Sequence, residues 1–416
     1  MNFGWELVVK PDYSKFFASR VNLMSPSPIR EVVSKIAMRS KVRKVISFAA
    51  GEPDPNVIPR ELYAELVKDI LENIPKCVNY SPAEGVPDLR EEIAKFMGRY
   101  EGVDTTLDNI VVTVGGSQAL DIVARVILEP GDIVIVENPS YVNTLLCWQH
   151  YGVRVIGIPM DSEGLVTEEL ERVLRKLKSE SRIVKLVYTI PTGQNPSGIT
   201  MSMDRRKHLL ELASKYDILI VEDTAYNHLV YDNVQVKTLR SMDSEGRVVY
   251  VGSFSKVLGT GLRIGWIEAD KEIIERIRYC KQPIDMCAPV ISQYLVLEIL
   301  RRNLFDSIRS KAVEVYRCKR DLMLKALDEY LPELKHTKPV AGMFILLWLH
   351  EGINCFKFAD ILLEKYDVAV IPAAPFYTSS GGDNVIRLNF SMAPQDMIDE
   401  GVRRIAILHR ELTRKH

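Results

Sequence analysis

Between Leu89 and Leu300, short apolar runs rich in Val and Ile alternate with helical patterns, and no other feature restricts the fold of this chain as tightly. Strands are expected at Ile110–Val114, Ile133–Glu137, Val153–Ile158, Val184–Thr189, Ile218–Glu222, Val248–Gly252 and Leu262–Glu268. Helical stretches at Gln118–Leu128, Thr167–Leu177 and Asp204–Tyr216 fall between several of them. Such alternation predicts an α/β domain with a mainly parallel, seven-stranded sheet covered by helices on both faces. Runs such as Ile133–Val136 and Ile218–Val221 are strand-sized and far too short to span a bilayer.

Beyond a long helical stretch at Phe305–Tyr330 the pattern changes. Strands at Phe344–Leu349, Val368–Ile371 and Val385–Phe390 mix with helices at Phe356–Lys365 and Gln395–Leu412, which predicts a smaller α+β domain. The expected division is an arm and helix over residues 1–45 that pack with the small domain, a large domain over 46–305, and the small domain over 306–416. Ser25-Pro-Ser-Pro28 marks a break inside the first segment.

Composition narrows the function. A net charge of -1 in 416 residues gives no reason to expect nucleic acid or an anionic membrane as partner. The start, Met1-Asn2-Phe3-Gly4-Trp5-Glu6, lacks the basic and apolar regions of a signal peptide, so a cytoplasmic protein is expected. Six scattered cysteines without a CxxC pair read as reduced thiols, and seven histidines without a spaced cluster give no metal site.

In a doubly wound sheet, ligands bind beyond the carboxyl ends of the strands, so the residues just after each strand carry the information. Gly115-Gly116-Ser117-Gln118 opens a helix after the first strand, offering small residues and free N–H groups to an anion; by itself such a stretch is more often only a turn. Pro191-Thr-Gly-Gln-Asn195-Pro196-Ser-Gly198 is a rigid loop that either only turns the chain or fixes the Asn195 amide, with a cis bond before Pro196 expected. Glu222-Asp223-Thr-Ala-Tyr226 places acid at a strand end, where it caps a helix or holds a protonated ring nitrogen. Finally, Gly252-Ser253-Phe254-Ser255-Lys256 runs on through Gly259 and Gly261 to Arg263. A lysine nucleophile beside hydroxyls and a guanidinium suits a phosphorylated aldehyde cofactor.

This set resembles the fold-type I, class I/II aminotransferases, whose lysine motif is similar to Ser-x-Ser-Lys-x5-Gly-Leu-Arg-x-Gly. The resemblance runs over nearly the whole chain and is nearest to the branch of kynurenine/2-aminoadipate aminotransferases. Further matching stretches are Ser25-Pro-Ser-Pro-Ile-Arg30, Tyr80-Ser-Pro-Ala-Glu-Gly85, Val114–Leu120, Gly342-Met-Phe344 and Arg387-Leu-Asn-Phe-Ser391. It implies pyridoxal 5'-phosphate (PLP) held through a Schiff base on Lys256, with Asp223 on the ring nitrogen and Asn195 and Tyr226 on the phenolic oxygen. It also implies a phosphate site of Gly116, Ser117, Gln118, Ser253, Ser255 and Arg263, with Tyr141 stacked on the ring. Tyr80 is expected to reach the cofactor of a second subunit, making a homodimer. Arg387 is expected to clamp the substrate carboxylate, alongside Asn195 and Tyr141, while Arg30 approaches the substrate side chain. Thr224-Ala225 after Asp223, Ser197, and Thr192-Gly193-Gln194 before Asn195 depart from the family pattern without removing a reacting group.

The expected activity is amino transfer from an L-amino acid (2-aminoadipate, kynurenine, an aromatic or a broad range) to a 2-oxo acid such as 2-oxoglutarate. Alternatives are another PLP reaction on the same fold, as a lyase or decarboxylase, and an acyl hydrolase using Ser253 and Lys256 as S-x-x-K.

Overall fold

The computed structural model describes residues 10–232 and 234–414, so residues 1–9 of the expected arm lie outside the described residues. Its element order follows the sequence closely. Strands are β1 (Ile46–Ser47), β2 (Ile110–Val114), β3 (Ile133–Asn138), β4 (Arg154–Asp161), β5 (Gly164–Leu165), β6 (Val184–Thr189), β7 (Leu219–Asp223), β8 (Val248–Ser253), β9 (Ile264–Glu268), β10 (Phe344–Trp348), β11 (Val368–Ala369), β12 (Ile371–Pro372) and β13 (Val385–Asn389).

The large sheet has the order β2-β9-β8-β7-β6-β3-β4-β5. All seven expected strands are present, and the two-residue β5 is added as an antiparallel partner at the end of β4. Strands β8, β7, β6, β3 and β4 run parallel, whereas β9 is antiparallel to both β2 and β8. Because β9 reverses twice, β2 runs in the same direction as β8. The carboxyl ends of β2, β3, β6, β7 and β8 therefore share one edge, and β9 begins there.

Alternation along the strands divides their side chains between two cores, which explains the near-continuous apolar runs. Val134 and Val136 join one core with Leu186, Val221, Val249 and Val251. Ile133 and Ile135 join the other, with Val187, Ile220 and Val248. Each such buried side chain contributes roughly 1.5–3 kcal/mol, so a one-residue slip of β3 would forfeit several at once.

The helices expected between strands are found at Gly115–Ile127, Thr167–Ser179 and Met203–Tyr216, and Phe305–Tyr330 is a single helix of 26 residues. After it, β10, β13 and β12 form a three-stranded antiparallel sheet. β1 pairs in parallel with β11, so the chain at Ile46–Ser47 is hydrogen-bonded to the C-terminal region. The helix Pro28–Ser40 is tied to the same region by Lys35–Asp360 and Arg39–Asp367 ion pairs of 2.6 and 2.9 Å. All six cysteines are unpaired.

Candidate active site

At the shared strand edge, Lys256 is half-buried, and its Nζ donates to the carbonyl of Gly51 at 2.8 Å. The Nζ lies 5.8 Å from the ring centre of Tyr226. Burial, with the charge of Arg387 adding to it, lowers the Lys256 pKa to about 8. Among the described residues no carboxylate lies within ion-pair distance of this amine. Nor does it bond the Ser253 hydroxyl, which accepts instead from the Ser255 N–H at 3.2 Å. The arrangement offers no hydrogen-bonded Ser–Lys pair for acyl transfer.

Asp223, at the end of β7, is buried; its carboxylate accepts from Tyr188 Oη at 3.0 Å and from Ala225 N–H at 3.1 Å. Burial raises its pKa, and these two donors oppose that. The helix-capping alternative falls to its neighbour. Glu222 accepts from the N–H groups of Leu239 and Arg240, at 2.8 and 2.9 Å, where a short helix begins.

The β2–helix turn and the lysine loop pack together, a Cβ built on Gly116 lying 3.9 Å from the Ser253 side chain. The first four N–H groups of the helix Gly115–Ile127 lack intrahelical acceptors. Gly115 has φ 71°, and a Cβ there would meet the Arg263 guanidinium at 2.5 Å, so only glycine lets the arginine cover the turn. Arg263 sits just before β9 and donates to the carbonyls of Thr260 and Val114, both at 3.1 Å. Gly265, opposite, has Gly115 and Gly252 backbone within 2.9 Å of its virtual Cβ, which is how three segments converge. Ser117 is exposed here, while Gly116 is half-buried and Ser253 and Ser255 are each 8% exposed. Gln118 contributes no free side chain: its Oε1 accepts from Val114 N–H and its Nε2 donates to Asp285, both at 2.7 Å. Its remaining offer to an anion is the backbone N–H.

Arg387, on β13, is 2% exposed. It donates to Asn195 Oδ1 at 2.9 Å and the Ala49 carbonyl at 2.8 Å, between the rings of Phe344 and Phe376 at 4.4 and 5.2 Å. Its Nε is buried without a partner, and burial lowers its pKa to about 10. Among the described residues no carboxylate pairs with it. Asn195 is buried and takes the expected course, with a cis bond to Pro196; Asn138–Pro139 is also cis. Tyr141 is half-buried and accepts from Asn143 Nδ2 at 2.9 Å. Burial raises the pKa of both Tyr141 and Tyr226. Two expected residues stand apart: Tyr80 is 80% exposed and Arg30 is exposed on the first turn of its helix, neither bonded to this cluster.

Sequence reasoning missed Glu137 and Arg206. Glu137, at the end of β3, is 1% exposed and faces Thr189 and Gln194. Arg206 is fully buried and donates to the carbonyls of Met201, Lys237 and Pro191 and to Thr192 Oγ1, pinning the loop before Asn195. An acid ending an apolar strand was a usable signal for the first; a lone arginine inside an amphipathic helix gave none for the second.

The donor set suits PLP. It comprises an uncharged-prone amine, an unpaired buried carboxylate, an anion cradle of helix N–H groups, hydroxyls and one guanidinium, and a second guanidinium left free for a carboxylate. Comparison with known proteins agrees. Residues 43–405 match the family of class I and II aminotransferases. An aromatic-amino-acid aminotransferase of Thermococcus litoralis is 39% identical over 97% of this chain and 96% of its own length. An archaeal alanine:glyoxylate aminotransferase superposes with a TM-score of 0.95 at 49% identity, covering 96% of this chain and 100% of that one. A Pyrococcus horikoshii kynurenine aminotransferase, solved in complex with PMP, gives 0.91 at 39% identity, covering 96% and 98%. The chain belongs to the class I and II aminotransferase family and is a PLP-dependent aminotransferase.

Proposed function

We propose that the enzyme takes a broad range of L-amino acids, among them aromatic, kynurenine-like and 2-aminoadipate-like donors, with a 2-oxo acid such as 2-oxoglutarate as acceptor. One observation carries the α-carboxylate part of this reading: a buried guanidinium, Arg387, with an unpartnered Nε and no acid beside it. A buried charge without a counterion is costly, and a substrate carboxylate removes that cost with a fork-shaped pair of hydrogen bonds. The breadth of donors is supported by the names of the relatives, which cover aromatic amino acids, kynurenine and alanine with glyoxylate.

When bound, PLP supplies an electron sink for the carbanion at the substrate's α-carbon. Lys256 is the residue that would hold it covalently and then move the α-proton, a task for which an amine titrating near neutrality is suited. Asp223 would keep the ring nitrogen protonated, and Asn195 and Tyr226 would donate to the phenolic oxygen. Gly116, Ser117, Ser253, Ser255, Arg263 and the Gln118 N–H would hold the phosphate, and Tyr141 would stack on the ring. Arg30, exposed on the helix Pro28–Ser40, would approach the substrate side chain.

The same reading makes the working unit a homodimer in the cytoplasm. Exposed apolar side chains of Val78, Tyr80, Ile284, Met286 and Ile291 support the dimer, as does the packing of residues 75–78 on the helix Val290–Arg301. Tyr80, unengaged within its own chain, would serve the neighbouring site. Among the described residues no helix is long and apolar enough to cross a membrane. The division into residues 46–305 and 306–416, with 1–45 attached to the latter, is supported by the ion pairs of Lys35 and Arg39, while β1 falls on the small-domain side.

A donor screen against 2-oxoglutarate and glyoxylate, read as oxo acid and new amino acid formed in equal amounts, tests the proposal. Several donors within about tenfold of one another in kcat/KM are expected. A single donor preferred by more than about a thousandfold would overturn the breadth, and unequal product amounts would indicate a lyase or decarboxylase.

A further inference from the structure

The chemistry assigned to Lys256 and its neighbours leaves one buried acid unused. Glu137 is the penultimate residue of β3, which leads into the Pro139–Tyr141 turn, and its side chain reaches across to Thr189 at the end of β6, which leads into the Asn195 loop. Thr189 Oγ1 donates to Glu137 Oε1 at 2.5 Å, while Ile190 N–H and Gln194 Nε2 donate to Oε2 at 3.2 and 3.0 Å. Gln194 Nε2 also donates to the Pro139 carbonyl at 2.8 Å. Its Oε1 accepts from Ser197 N–H and Oγ, at 2.9 and 2.6 Å. Every member is buried, and every polar atom of the Gln194 amide and the Glu137 carboxylate is used.

Gln194 and Ser197 lie on either side of Asn195 in the chain. We infer that Glu137 is a positioning residue: through Gln194 and Ser197 it locks the Asn195 loop to the Tyr141 turn, and so fixes the two side chains that flank the cofactor ring. Asn195 in turn holds Arg387, so the lock extends to the carboxylate clamp.

Such a lock is costly to build, because Glu137 has no cation within ion-pair distance among the described residues. Burial pushes its pKa up to about 7, with Asp223 adding to the effect and the three donors opposing it. Buried Arg206 is the cation whose field it shares. A fully satisfied buried network specifies one arrangement, and a partly satisfied one does not.

This inference rests on the proposed contact of Asn195 with the phenolic oxygen, and the experiment separates the two. The readout is the pH midpoint of the visible absorption of the holoenzyme, together with KM for an amino acid. Losing a donor to an anionic ring oxygen favours the protonated form of the lysine linkage, so the midpoint rises. Asn195→Ala is expected to raise it by about one pH unit, the worth of one such hydrogen bond. Glu137→Ala and Gln194→Ala are expected to reproduce most of that rise and to increase KM more than they lower kcat. Glu137→Gln is expected to restore both values, because the Thr189 hydroxyl can accept from the new amide while its oxygen keeps the other donors.

A folded Glu137→Ala enzyme with the wild-type midpoint and KM overturns the inference, whatever happens to its melting temperature. So does a Glu137→Gln enzyme that behaves like the alanine variant, since charge and not placement would then be at work. If Glu137→Ala does not fold, Gln194→Ala decides by the same criteria. An unmoved midpoint in Asn195→Ala removes the contact itself, and the inference with it.

Discussion

Two lysines reach the same four-residue segment, Gly51-Glu52-Pro53-Asp54, and the protein treats them differently. At one end, Lys319 from the long helix Phe305–Tyr330 is 3% exposed and donates to Asp54 Oδ2 at 2.6 Å and to the Ser391 carbonyl at 2.8 Å. The Asp54 N–H is engaged by Tyr316 Oη at 2.9 Å, and Ser391 Oγ donates to the Glu52 carbonyl at 2.6 Å. That region is a closed polar knot joining the helix, the segment and the end of β13. At the other end, Lys256 finds only a neutral carbonyl at Gly51, and Arg387 nearby likewise bonds only neutral acceptors. A cation that is paired and saturated holds the fold together. One that is desolvated without an acid is ready for a ligand.

The contrast is broken most sharply by truncating a cation on each side. Arg387→Ala is expected to lower kcat/KM by roughly a thousandfold, about 4 kcal/mol, because the substrate carboxylate would be buried without its partner. The loss should appear chiefly in KM, and bound cofactor should be retained. Steady-state kinetics and the visible spectrum check both, and unchanged amino-acid affinity would remove Arg387 from the site. Lys319→Ala strands the Asp54 carboxylate, and breaking a buried pair costs about 3 kcal/mol of stability. Denaturant unfolding should show it, with KM moved far less than in Arg387→Ala. Were Lys319→Ala to leave stability intact and abolish activity, the division between a structural and a chemical cation would be wrong.

The same contrast separates the legible parts of the sequence from the rest. Residues placed by a strand end were legible, because the doubly wound sheet puts every carboxyl end at one edge. Gly116, Asn195, Asp223 and Lys256 all lie at or just beyond the ends of β2, β6, β7 and β8, where the pattern directs attention. Helix and strand periodicity likewise gave the large sheet to within a few residues, missing only the two-residue β5, which is too short to carry a pattern. What escaped were partners made by distant segments. Arg387 and Asn195 meet across 192 residues, and Glu137 meets Gln194 across 57. Arg387 was reached through resemblance, and Glu137 not at all. The engagement of the Gln118 side chain was hidden for the same reason, since its partner Asp285 lies 167 residues away. Periodicity encodes which face is buried; it carries nothing about which buried polar groups find each other.

The finest test of the contrast is a titration of the unpaired lysine itself. Folding lowers the Lys256 pKa from the ordinary 10.5 to about 8, first by burial and then by the charge of Arg387, with Glu52 and Asp223 opposing. The neutral amine is the nucleophile toward an aldehyde, so recombination of the apoenzyme with PLP should track its fraction. With a midpoint near 8, that fraction is about one-tenth at pH 7 and about nine-tenths at pH 9, a rise of roughly tenfold that then levels off. A lysine with an ordinary pKa would instead gain about a hundredfold over the same interval and keep rising toward pH 10. The initial rate of visible absorbance gain, measured from pH 7 to 10, separates the two curves. Arg387→Ala should shift the levelling point upward, because removing a neighbouring positive charge lets the amine hold its proton longer. A rate still climbing at pH 10 in the wild type would place Lys256 with the saturated cations, and the distinction between the two ends of Gly51–Asp54 would fail.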